Sequence, residues 1–129
     1  MSGAVDADGR VWVIQGKPAG EPYLSYYTGG LKVLSFSRDG KPGVEIMDFE
    51  NPCALAVDHE GRLLVGGLNR HSQVWIYDVS MRPKKVGTFG EEGGIFSGNP
   101  GRYEPGKLHW IRGIGLDSAG NLYVADITQ

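Results

Sequence analysis

Near the carboxyl end, His109-Trp-Ile-Arg112 sets an imidazole, an indole and a guanidinium close together. An imidazole can ligate a metal or move a proton near neutral pH, and a guanidinium can clamp an anion through its fork of donors. Arg70 and His71, after Asn69, offer the same two chemistries a second time. Aromatic residues add another kind of contact. Tyr23, Tyr26 and Tyr27 stand close in sequence, and Tyr103 lies in a Gly- and Pro-containing stretch with Phe96 and Arg102. Tyrosine pairs a flat apolar body with a hydroxyl, which suits sugars or peptides. Each of these residues also has a plainer explanation as a packed ring, a cap or a solvated loop position.

Several other chemistries are excluded. Gly101-Arg-Tyr-Glu-Pro-Gly-Lys107 has the glycine–lysine spacing of a phosphate loop, but Leu108 stands where a Ser or Thr would bind magnesium. No helical pattern follows to aim an N-terminus at phosphate. Asp6-Ala-Asp-Gly9 lacks the twelve-position ligand pattern of a calcium loop. No nucleophile elbow is present. Cys53 is the only cysteine, so no intrachain disulfide can form, and it reads as a small buried apolar residue. A formal charge of −2, with no cationic run beyond Lys84-Lys85, argues against a nucleic-acid surface. No apolar run approaches the ~20 residues of a membrane span. The opening residues show no signal-peptide pattern, so a soluble chain is expected.

The elements that must position these residues are strands. Gly (21) and Pro (7) interrupt nearly every window in which a helix could propagate. Internal repetition organises the chain. Residues 2–15, 54–67 and 113–126 share one pattern: an aliphatic residue and Asp, a Gly three positions later, a polar residue (Arg10, Arg62 or Asn121), then a β-rich run. An Asp side chain accepts from backbone N–H two residues on, and Gly tolerates positive φ, so each Asp-x-x-Gly closes a tight antiparallel hairpin. Strands are expected near 4–6, 10–15, 31–37, 44–49, 54–58, 62–68, 73–79, 85–89, 111–117 and 121–127, giving about ten. Runs such as Arg62-Leu-Leu-Val-Gly-Gly-Leu68 are apolar at successive positions, so both faces of their sheets are buried. Four-stranded antiparallel meanders stacked face to face about an axis are β-propeller blades. The expected fold is therefore all-β and an incomplete propeller.

Asn51-Pro-Cys-Ala-Leu-Ala-Val-Asp-His-Glu-Gly-Arg-Leu-Leu-Val65 and Ile111-Arg-Gly-Ile-Gly-Leu-Asp-Ser-Ala-Gly-Asn-Leu-Tyr-Val-Ala-Asp126 resemble the NHL repeat. Its pattern runs Asn-Pro-x-Gly-Ile-Ala-Val-Asp-x-x-Gly-Asn-Leu-Tyr-Val-Ala-Asp. Thr88-Phe-Gly90 resembles the close of that repeat's fourth strand. Neighbouring six-bladed propeller families, gluconolactonase-like and TolB-like, share the hairpin. The resemblance implies an incomplete first blade over 1–50, a complete one over 51–90, an inserted loop over 91–108 and the first half of a third over 109–129. The remaining blades of a longer parent chain would then be its partners. It further implies that loop 16–30, loop 91–108, Glu50-Asn51 and His109–Arg112 converge on one face. Asp126 matches the family's residue after the second strand and reads as a turn cap.

Two functions follow as expectations. One is a binding or scaffold module contacting a glycan, peptide or protein through Tyr23, Tyr26, Tyr27, Arg70, His71, Tyr103, His109, Trp110 and Arg112. The other is part of a metal-dependent, lactonase-like hydrolase or lyase. Gluconolactonase-like propellers hold a divalent cation with Glu, Asn and Asp from separate blades, and Glu50 and Asn51 stand near such a position. Asn51-Pro52 also matches the structural pair of the NHL repeat, and no catalytic residue is assigned.

Overall fold

The structure, a computed structural model, describes residues 3–16, 30–68, 70–97 and 106–127. The strands are β1 (Gly3–Val5), β2 (Val11–Gln15), β3 (Lys32–Phe36), β4 (Pro42–Ile46), β5 (Pro52–Val57), β6 (Leu63–Gly67), β7 (Val74–Asp78), β8 (Lys84–Phe89), β9 (Trp110–Leu116) and β10 (Leu122–Ile127). One 3₁₀ turn, Gly94–Phe96, precedes β9. The strands form three antiparallel meanders, β1–β4, β5–β8 and β9–β10. The fold is all-β, as the repeats predict. Among the described residues no helix is long and apolar enough to cross a membrane.

The expectation of an incomplete first unit needs correcting. All four strands are present, with β1 shortened to three residues that pair Gly3 with Val13 and Val5 with Val11.

The repeated turns work as their residues dictate. Asp6 Oδ1 accepts from the N–H groups of Asp8 and Arg10, both at 3.0 Å. Asp58 does the same for Glu60 and Arg62, and Asp117 for Ala119 and Asn121. The closing glycines, Gly9, Gly61 and Gly120, sit at φ 79°, 78° and 86°, where an L side chain would be strained. The polar residue after each glycine has a matching task. Arg10 Nε, Arg62 Nε and Asn121 Nδ2 donate to the second oxygen of their own Asp at 2.9, 2.8 and 2.9 Å. A fourth turn, joining β3 to β4, uses Ser37 in place of Asp. Lys41 N–H donates to its Oγ at 3.0 Å, and Gly40 takes φ 86°.

The sheets stack as blades do. β1 contacts β5 and β5 contacts β9, so the first strand of each sheet lies beside the first strand of the next. In the middle sheet β5, β6 and β7 bury side chains on both faces by period-two alternation, while β8 is largely exposed. Leu55, Leu63, Val65, Trp75 and Tyr77 face the first sheet, where Trp12, Ile14, Val33, Ile46 and Phe49 meet them. Ala54, Leu64 and Val74 face the third, against Ile111. A large apolar side chain buried in this way contributes about 1.5–3 kcal/mol. Among the described residues there are three sheets, fewer than the four that the smallest closed ring uses, and they form an arc of a propeller.

Candidate functional site

Strand direction gives the stack two unlike ends. The Asp–Gly turns lie at one end. The other carries the connections β4–β5, β6–β7 and β8–β9 and the entries to β5 and β9, and the sequence reading places its candidates there.

Two β-bulges shape the entries. In β5 the register slips between Pro52 and Ala54, leaving Cys53 as the extra residue. Against β10 the register slips between Ala125 and Asp126, whose partners are Gly113 and Ile111, leaving Arg112 as the extra residue of β9. Cys53 precedes Asp58 by five positions and Arg112 precedes Asp117 by five, so the two occupy equivalent places in the repeat. Bulges re-aim side chains and are frequent beside functional sites. Trp110 joins the two residues. Its indole N–H donates to Cys53 Sγ at 3.3 Å, and the Arg112 guanidinium lies 4.9 Å from its ring centroid. A cation at that distance is attracted by the ring's negative face. Arg112 is itself exposed, so the ring holds an accessible positive charge in place.

His109 sits one residue further out. Its backbone N–H donates to both carboxylate oxygens of Asp126, at 3.2 and 3.3 Å. Asp126 thus receives the chain as it enters β9. The His109 ring meets Phe96 edge-on at 5.3 Å. Its Nδ1 is buried and has no hydrogen-bond partner among the described residues, which costs free energy unless a partner arrives.

The β6–β7 and β8–β9 connections are locked together. His71 Nδ1 lies 3.0 Å from Glu92 Oε1, and Gly93 N–H donates to the His71 carbonyl at 2.8 Å. The His71 ring also packs 5.3 Å from that of Trp75. Gly94 at φ 52° lets the backbone close on Leu108, since a Cβ there would lie 1.8 Å from the Leu108 carbonyl oxygen. Buried Lys107 donates through Nζ to the Ser97 carbonyl at 2.9 Å.

Arg70 pairs with Glu50 at 3.2 Å, both well exposed, so the pair adds little stability. Asn51 adopts φ 50°, and its Nδ2 donates to the Leu68 carbonyl at 3.1 Å, while Leu68 N–H donates to the Asn51 carbonyl. These contacts tie the β5 entry to the end of β6. The fit of a divalent cation at Glu50 and Asn51 is therefore poor. One carboxylate is taken by a guanidinium, the Asn side chain presents a donor to the backbone, and no group of three His, Cys, Asp or Glu side chains is placed to hold a metal among the described residues.

The structure thus joins Trp110 with Arg112, and places His109 and His71 against the same β8–β9 connection, through Phe96 and Glu92 respectively. It places Arg70 with Glu50 instead. Tyr23, Tyr26, Tyr27 and Tyr103 lie outside the described residues. Sequence reasoning missed Cys53, which is half-buried and bonded to Trp110 rather than packed as an apolar residue. The equal five-residue spacing to the turn Asp was the available signal. It also missed a pocket of about 160 Å³ at the turn end, lined by Asp6, Asp8, Arg10, Glu60, Arg62 and Asp78 among others.

No protein-family model matches the chain, and no curated protein matches it. Among solved structures, one similar fold is an X-ray structure provisionally named a gluconolactonase, with a TM-score of 0.66 and 20% sequence identity. The match covers 96% of this chain and 40% of that one, so the chain spans well under half the length of its structural neighbour. At this identity the likeness is one of fold, a β-propeller.

Proposed function

We propose that the loop end of these sheets is a ligand-binding face of a β-propeller, centred on Arg112 and Trp110, that takes an anionic group on a glycan, peptide or protein. The observation that carries this reading is the pair of equivalent bulges at the entries to β5 and β9, one of which presents an exposed guanidinium fixed on an indole. The buried Nδ1 of His109 adds a polar atom that a ligand would satisfy. Tyr23, Tyr26, Tyr27 and Tyr103 belong to this reading as further contacts.

Tryptophan emission tests it, using oligosaccharides with and without uronic acids and peptides with and without acidic residues. Acidic probes should change the emission, and the change should vanish in Trp110→Phe, which leaves Trp12 and Trp75 in place. Arg112→Ala should weaken binding roughly tenfold, the equivalent of ~1.4 kcal/mol. Equal responses to acidic and neutral probes, or an unaltered response in Arg112→Ala, would count against the reading.

A second reading is favoured by the structural neighbour: a portion of a metal-dependent, lactonase-like hydrolase or lyase with a central-funnel site. The engagement of Glu50 and Asn51 stands against a cation held by those two. Metal analysis of the full-length parent chain and lactone hydrolysis by it with added divalent ions separate the readings. A metal-free parent, inert on lactones under those conditions, would remove the second.

A further inference from the structure

At the turn end the two interfaces between sheets are built differently. His59 follows the turn Asp of the second sheet and reaches across to the third. Its Nε2 lies 2.9 Å from the Asp117 carbonyl oxygen. That oxygen can only accept, so Nε2 carries the proton. The ring also packs on the closing glycine of the third sheet's turn, since a Cβ on Gly120 would lie 3.5 Å from His59 Cδ2.

In the first sheet Ala7 holds the place of His59, one residue after the turn Asp. Its methyl is too short to cross to the second sheet as that ring does. Gly61 is the equivalent of Gly120, and among the described residues a Cβ there would meet nothing within 4 Å. The space between the two turns is a pocket of about 160 Å³, with Ala7 and Gly61 among its walls. Cavities of roughly 150 Å³ admit a benzene ring, so a five-membered ring fits.

The walls also carry an excess of acid. Asp6, Asp8, Glu60 and Asp78 line the pocket against Arg10 and Arg62. Both guanidinium groups are already engaged. Arg10 bonds Asp6 and the Val79 carbonyl. Arg62 bonds Asp58 at 2.8 Å and lies 3.8 Å from Glu60. A cleft lined mainly by one sign of charge concentrates ions of the other.

We propose that this pocket binds an imidazolium, free or carried on a histidine of a partner, between Ala7 and Gly61. The protein's own His59 is the template: the same ring, on the same side of an equivalent turn, against an equivalent glycine. Asp8 and Glu60 supply the countercharge that distinguishes the imidazolium from a neutral ring. The pocket lies at the opposite end of the sheets from Arg112 and Trp110, so it stands or falls independently of the anion site there.

Saturation-transfer NMR on the full chain at micromolar concentration tests this, with free imidazole as the probe. The pH is held at about 6, below the ~6.5 of an ordinary imidazole. Imidazole should bind with a Kd on the order of 1 mM. Pyrazole, a ring of the same size that stays uncharged, should bind at least ~10-fold more weakly. Ala7→His should fill the pocket with its own ring and remove the imidazole signal. Asp8→Ala combined with Glu60→Gln should weaken binding at least ~5-fold. Ala7, Asp8 and Glu60 are exposed, and circular dichroism checks that the variants fold; if Ala7→His does not, the double variant decides alone. A capped histidine peptide separates the two sources. Binding as tight as that of imidazole assigns the ring to a partner's histidine, and weaker binding assigns it to a free small molecule. No imidazole signal, equal signals from imidazole and pyrazole, or a signal that survives in the variants overturns the proposal.

Discussion

Asp6, Asp58 and Asp117 perform one task in three settings. Each accepts two backbone N–H groups and one side chain in its own turn. Asp6 does more. Its carboxylate is buried, accepts the Trp12 indole N–H at 3.0 Å and pairs with Arg10, whose other end donates to the Val79 carbonyl on the neighbouring sheet. Burial alone would raise the Asp6 carboxyl, but the hydrogen bonds from Trp12 and Arg10, with the Arg10 charge, outweigh it and hold it below its ordinary 3.8. A carboxyl lowered on folding stabilises above its unfolded value, and the contribution fades as pH falls through the lower folded one. Asp6→Ala should therefore cost about 3 kcal/mol near pH 7, because it strands Arg10 and Trp12. Its urea stability should also fall less steeply than that of the wild type as pH drops below 3.8. Asp117, exposed at its turn, is held low chiefly by the Asn121 hydrogen bond, and Asp117→Ala should cost less. Equal losses in the two variants would show that the setting of the turn does not matter.

At the scale of elements, β6 carries the stacking. All five of its residues are buried, with Leu63 and Val65 turned to one neighbour and Leu64 to the other. At Gly66 the third sheet packs close against the backbone. A Cβ there would lie 2.5 Å from Ile111 Cγ2 and 3.0 Å from Ile114 Cδ1. Gly66→Ala should destabilise by about 2 kcal/mol through overpacking. Combining it with Ile111→Ala should give a total loss smaller than the sum of the two singles, because the cavity left by Ile111 receives the new methyl. Strict additivity in chemical denaturation would mean that the two positions do not meet. At the turn end His59 adds a polar link between the same sheets, its Nε2 lying 2.9 Å from the Asp117 carbonyl oxygen.

Among the described residues the third sheet has uncovered apolar surface, where Tyr123 is 60% exposed, and β10 pairs with β9 alone. Open edges and apolar faces template association. Light scattering at tens of micromolar should show species larger than a monomer, growing with concentration; a stable monomer over that range would contradict this.

The residues themselves settled the strand order, the hairpins and the two-sided burial. An Asp–Gly turn is closed by local hydrogen bonds and a positive φ, and period two assigns faces without knowing the neighbours. The role of the polar residue after each glycine was half visible: its position repeats, but its bond to Asp appears only in three dimensions. The bulges were not visible, since a register slip is decided by pairing with a strand some fifteen residues away. With them the sequence also hid that Cys53 and Arg112 both stand as bulge residues, that Trp110 bridges them, and that Glu50 pairs with Arg70. Those outcomes depend on which sheet end each loop reaches, and only long-range packing decides that.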